Sequence, residues 1–178
     1  MKKIFSILLV AFAMAAMVSC DKDDDHNTPA EPAQQVPATV SMTYHLDATD
    51  DMLQYLDYTV IYIDGTGEHE EAVTSNRWEK TFAASLPATF TIKRLLRVKE
   101  GMHDALVAAD TVHMTDGYGY AYQIFDSTAT PIPGMNDSWS RAPLSGASGA
   151  RIAEHCEAGR LDKTYTLSFD INGHFTQM

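Results

Sequence analysis

The sequence predicts a mainly β protein, a single antiparallel sandwich of seven or eight short strands. Three observations carry that expectation. Apolar and polar residues alternate in several runs, the period of a half-buried strand. Turn-forming residues punctuate many of those runs at short intervals. Only one stretch, 150–158, suggests a helix, so helical content is expected to be low.

Taken in order, Val40, Met42, Tyr44 and Leu46 alternate with Ser41, Thr43, His45 and Asp47, one half-buried strand. Residues 55–63 are rich in Tyr, Val, Ile and Thr and apolar on both faces, which suits a central strand. Asp64-Gly65-Thr66-Gly67 is a turn signal, and 68–74 returns as the second arm of a hairpin. Residues 78–83 form a short strand. From Pro87 a longer run places Phe90, Ile92, Leu96 and Val98 on one face, interrupted by Arg94, with Leu95 on the other. Residues 106–114 are expected to pair with 118–125 across Asp116-Gly117. The last strand alternates Tyr165, Leu167, Phe169 and Ile171 with Thr164, Thr166, Ser168 and Asp170.

Residues 127–149 break the pattern. They are rich in Pro, Gly, Ser and Ala, without clear periodicity, and read as a long loop with Trp139 at its middle. Loops beyond about 12–15 residues are uncommon in compact domains and are often functional. Trp139 is therefore the candidate ligand-binding residue, an exposed aromatic anchor on a loop. The competing reading is a Trp folded back to plug the sandwich edge.

The N-terminus has a different character. Lys2 and Lys3 precede a run that is apolar from Ile4 to Val18 apart from Ser6. That is shorter than the roughly 20 residues of a spanning helix and suits the h-region of a signal peptide. The run ends in Met17-Val18-Ser19-Cys20, which resembles the lipobox of bacterial lipoproteins, with Met17 in place of the usual leucine. The resemblance implies cleavage before Cys20 and its acylation; the alternative is an ordinary signal peptide ending near a cysteine. Each buried methylene contributes roughly 0.8 kcal/mol, so two or three acyl chains would anchor the protein firmly. The next residues, Asp21, Lys22, Asp23, Asp24 and Asp25, resemble the acidic export tag of surface lipoproteins of the Bacteroidota; a solvated acidic linker is the plainer reading. The expected organisation is a signal peptide over 1–19, a lipidated acidic and Pro-rich tether over 20–37, and the sandwich over 38–178.

Composition narrows the partners. Without residues 1–19 the chain keeps eleven basic and twenty-four acidic residues, a net charge of −13 with His neutral. Such a charge repels nucleic acid and anionic headgroups. Of the two cysteines, Cys156 has no partner if Cys20 is acylated, so a disulfide framework is excluded.

Sequence motifs offer little chemistry. Asp64, Glu68, His69, Glu70 and Glu71 gather oxygen ligands near one turn, but without EF-hand spacing, and no metal is expected there. His155 and Cys156 suggest an activated thiolate, yet neighbouring residues do not face each other on a helix or a strand. The seven histidines are scattered without zinc spacing, and there is no G-x-S-x-G, P-loop or dinucleotide fingerprint. No catalytic residue and no cofactor are expected. Tyr118, Tyr120 and Tyr122 share one strand face, where core packing competes with stacking on a glycan.

The segments YTVIYIDGTGE, SNRWEKTF and LPATFTIKRLL, all between residues 58 and 96, resemble small surface lipoproteins of the Bacteroidota whose domain is an immunoglobulin-like β-sandwich. The resemblance implies that fold and an outer-membrane, surface-exposed location. Its motifs are structural and transfer no catalytic or ligand residue. The expected function is a non-catalytic binding or scaffolding module, its partner a protein or a glycan. A fimbrial or outer-membrane accessory subunit comes second and a hydrolase third.

Overall fold

The computed structural model describes residues 35–64 and 66–177. The expected signal peptide over 1–19, Cys20 and the acidic run at 21–25 lie outside the described residues. The chain is mainly β, with antiparallel sheets consistent with a sandwich. Eleven strands are described where seven or eight were expected.

Sheet one holds β1 (Pro37–Asp47), β4 (Arg77–Ser85), β7 (Tyr118–Asp126) and β8 (Pro131–Arg141), in the order β4-β1-β7-β8. Sheet two holds β2 (Leu56–Asp64), β3 (Gly67–Ala72), β5 (Ala88–Val98), β10 (Lys163–Phe169) and β11 (Phe175–Gln177), in the order β11-β10-β5-β2-β3. A two-stranded ladder of β6 (Val112–Thr115) and β9 (Leu144–Ala147) is separate. Three short helices, α1 (Asp50–Tyr55), α2 (His103–Val107) and α3 (Gly149–Glu157), complete the described elements.

Alternation decides which side chains meet between the sheets. Val40, Met42, Tyr44 and Leu46 of β1 are buried, as are Tyr58, Val60 and Tyr62 of β2 and Phe90, Ile92 and Leu96 of β5. Aromatic contacts cross the interface: Tyr62 meets Phe82 at 5.3 Å between centroids, Phe82 meets Phe90 at 5.9 Å, and Tyr122 meets Phe169 at 4.9 Å. Burial of this apolar surface is the main driving force, roughly 25 cal/mol per Å².

Several expectations are corrected. Residues 106–114 are not one strand: α2 and a loop precede β6, and β6 pairs with β9 rather than β7. Helix α2, His103–Val107, is a short helix that drops Leu106 into the core, where alternation had been assumed. β7 pairs instead with β1 and β8. The run at 127–149 is not a long loop but contains β8, β9 and the start of α3. Its strands escape the periodicity test because they are exposed on both faces; β8 buries only Ile132. Pro131 and Pro133 are compatible with β8 because it is an edge strand. The last long strand stops at Phe169, and Ile171 lies exposed in the turn beyond it.

Helix α1 was not expected. The Thr49 hydroxyl accepts the Met52 amide at 3.1 Å and donates to the His113 carbonyl at 2.6 Å, while Asp50 and Asp51 occupy the first turn. An N-cap with acids beside the N-terminal dipole stabilises even so short a helix. Helix α3 agrees with the expected 150–158 to within one residue at each end. Its first residue is glycine because a Cβ there would lie 1.6 Å from the Leu106 carbonyl oxygen.

Candidate functional site

The open flanks of the sandwich are closed by different chemistry. On one, β3 of sheet two meets β4 of sheet one through Glu71, which accepts from the Tyr62 hydroxyl (2.6 Å), Lys80 Nζ (2.7 Å) and Trp78 Nε1 (2.8 Å). These bonds hold its carboxyl down at about 2. On the other flank, β7 meets β10 and β11 through aromatic rings. Tyr118 touches Tyr165 at 4.4 Å, and Phe175 touches Tyr120 at 5.1 Å and Tyr122 at 5.2 Å.

Trp139 belongs to that aromatic flank. It stands opposite Tyr120 in the β7–β8 register, so both side chains point inward. Its ring lies 5.0 Å from Tyr118 and 6.2 Å from Tyr120. It is nevertheless 39% exposed, because β8 is the outermost strand. The expectation that Trp139 sits on a long loop is overturned, since it stands on β8, and the plug reading describes the inner face of the ring. Tyr118 and Tyr120 are buried and pack the core, so they offer no glycan platform.

Beyond Trp139, the outer edge of β8 has no strand partner among the described residues. An edge of eleven residues presents free backbone donors and acceptors, a template for another strand. Gly134, at φ +75°, and the register shift between Gln123 and Phe125 distort the first part of the strand. The regular part runs over 136–141, around Trp139.

A second concavity lies at one end of the sandwich, between β6, β9 and α3, with a cavity of about 410 Å³. Its floor is Arg94, the residue that interrupts the apolar face of β5. Arg94 is 1% exposed and points inward. Its Nη2 donates to Asp116 Oδ1 at 2.8 Å and to the Leu161 carbonyl at 2.9 Å. Burying a guanidinium costs several kcal/mol unless it is paired, and these bonds offset that cost. Burial pushes the Asp116 carboxyl up, but its bond to Arg94 and the charges of Arg94, Lys163 and Arg141 outweigh this and hold it below the usual range. Arg151 and His155, four residues apart on α3, line the same cavity. Sequence reading missed this group; its one signal was a charged residue in an apolar alternation.

The remaining sequence candidates have local partners. Asp64 accepts from the Thr66 amide and hydroxyl and lies 3.0 Å from His69 Nε2, while Glu71 is committed to Trp78 and its neighbours. Among the described residues no group of three or more His, Cys, Asp or Glu is placed to hold a metal. Cys156 is buried on α3, and burial pushes its thiol up to about 11, the wrong direction for a nucleophile.

Compared with models of protein families, with curated proteins and with solved structures, the chain gives no significant match.

Proposed function

We propose that this protein is an outer-membrane lipoprotein, anchored through acyl chains on Cys20 and carried to the cell surface under the acidic run Asp21 to Asp25. In this reading its immunoglobulin-like sandwich is a binding or scaffolding module without catalysis. The observation that carries the binding half is the open edge of β8, with the outer face of Trp139 beside it. An edge strand gives main-chain hydrogen bonds, and a half-exposed aromatic adds an anchor. The partner that fits is a protein presenting an extended segment; a glycan would use the Trp face alone.

Fractionation tests the anchor. Cys20→Ala is expected to lose palmitate labelling and move from the membrane to the soluble fraction, and unchanged labelling would refute lipidation. Replacing Asp23, Asp24 and Asp25 with Ala tests export: equal cleavage by external protease in both forms would reduce the run to a linker.

The same open edge favours a second reading, a fimbrial or outer-membrane accessory subunit, in which β8 accepts a strand from a neighbouring subunit. Proline replacing Asp137 or Ser138 separates a main-chain from a side-chain partner, since neighbouring amides of a strand face opposite edges. If the edge is used, the one of the two positions whose amide faces outward will block association.

A further inference from the structure

We propose that the cleft between β6, β9 and α3 binds a small organic acid through its carboxylate. The chain as a whole is strongly acidic, with 24 acidic against 13 basic residues. Around this cleft the balance reverses. Arg94 and Arg151 line it, Lys163 and Arg141 are close enough to act on Asp116, and Asp116 is already paired with Arg94. The net local charge is therefore positive inside a negative protein, which favours a bound anion.

Arg94 ties the end of β6 and the segment after α3 to sheet two through Nη2, while its buried Nε has no partner. Arg151 has no such tie. Its side chain makes no hydrogen bond and no salt bridge among the described residues, and neither does that of His155. Both stand on the α3 wall of the cavity, one helical turn apart, as donors without an acceptor. A carboxylate suits a guanidinium because two parallel N–H groups match its two oxygens.

The rest of the wall describes the body of the ligand. Met114 and Ile152 are nearly buried there, and Leu161 is partly so. A cavity of about 410 Å³ lies within the usual range for small-molecule sites, roughly 300–1,000 Å³. An acid with a short apolar body would place its carboxylate on Arg151 and His155 and its carbons against Met114 and Ile152. The site is independent of the β8 edge and of the lipid anchor.

The test uses the purified full chain and N-acetyl-leucine as the probe, followed by titration calorimetry. Saturable binding is expected, weakened at least about tenfold for the neutral N-acetyl-leucinamide and at least about tenfold by Arg151→Ala, with Arg151→Lys in between. Arg151 is exposed, so its replacement leaves the fold intact, which the far-ultraviolet dichroism checks. No binding up to about 10 mM would overturn the proposal. So would equal binding of acid and amide, or an affinity unchanged in Arg151→Ala. Inorganic phosphate binding as tightly as N-acetyl-leucine would overturn the apolar half.

Discussion

Trp78 on β4 donates its indole Nε1–H to Glu71 on β3 at 2.8 Å, and this bond joins the edge of one sheet to the edge of the other. Glu71 also serves Tyr62 and Lys80, and Lys80 Nζ lies 4.8 Å above the Tyr62 ring. One carboxylate thus satisfies three donors from two strands, β2 and β4, where hydrophobic packing runs out at the flank.

Glu71→Ala leaves Trp78 Nε1 and the Tyr62 hydroxyl without their acceptor. An unsatisfied buried donor costs about 1–3 kcal/mol, but Glu71 is partly open to water, so the expected loss is about 1–2 kcal/mol. Urea denaturation will show it as a lowered midpoint with an unchanged slope. Glu71→Gln keeps an acceptor and is expected to lose less.

Stability should fall at acid pH in two stages. Burial first, then the nearby Arg77, lowers the His45 pKa. The neutral ring is thus the folded form, and its contribution is present above about 6.5 and lost as pH falls through the lowered value. The larger stage comes from carboxylates. Glu71 and Asp64 are each held down at about 2 by hydrogen bonds, and the amides of His113 and His174 lower Asp51 and Asp170. Their contributions are complete above roughly pH 4.5 and disappear toward pH 2. Urea midpoints across this range check both stages, and His45→Gln should remove only the first.

Trp139→Ala is expected to act on both stability and binding. A fully buried Trp costs about 3–5 kcal/mol on truncation; with 39% of its surface exposed, Trp139 should cost less, about 1–3 kcal/mol. A melting curve with no change would show that the stacking on Tyr118 and Tyr120 contributes nothing. A partner bound at β8 should be lost with the same variant.

Cys156→Ser is expected to cost about 1–2 kcal/mol and leave any binding intact. The thiol should resist Ellman's reagent in the folded protein and react on unfolding, since burial keeps it protonated. Rapid labelling of the native protein would contradict that burial.

The sequence by itself determined the β class, the inward faces of β1 and β5, the β2–β3 hairpin and helix α3. In each the signal is local: a period of two, a turn between two arms, or a helical run ending near Gly159. It also carried the expectation of lipidation at Cys20, which depends on a short motif and needs no fold. What only the tertiary structure decided is everything held by partners distant in the chain. β8 reads as a loop because its residues are exposed on both faces, and it becomes a strand through backbone bonds to β7. Trp139 is half exposed because β8 is last in its sheet. Arg94 looked like a flaw in an apolar face, and turns out to be buried because Asp116 and the Leu161 carbonyl, 22 and 67 residues further along, arrive to receive its charge. Local periodicity cannot report such pairings, since the energy that stabilises them exists only once the sheets and α3 have come together.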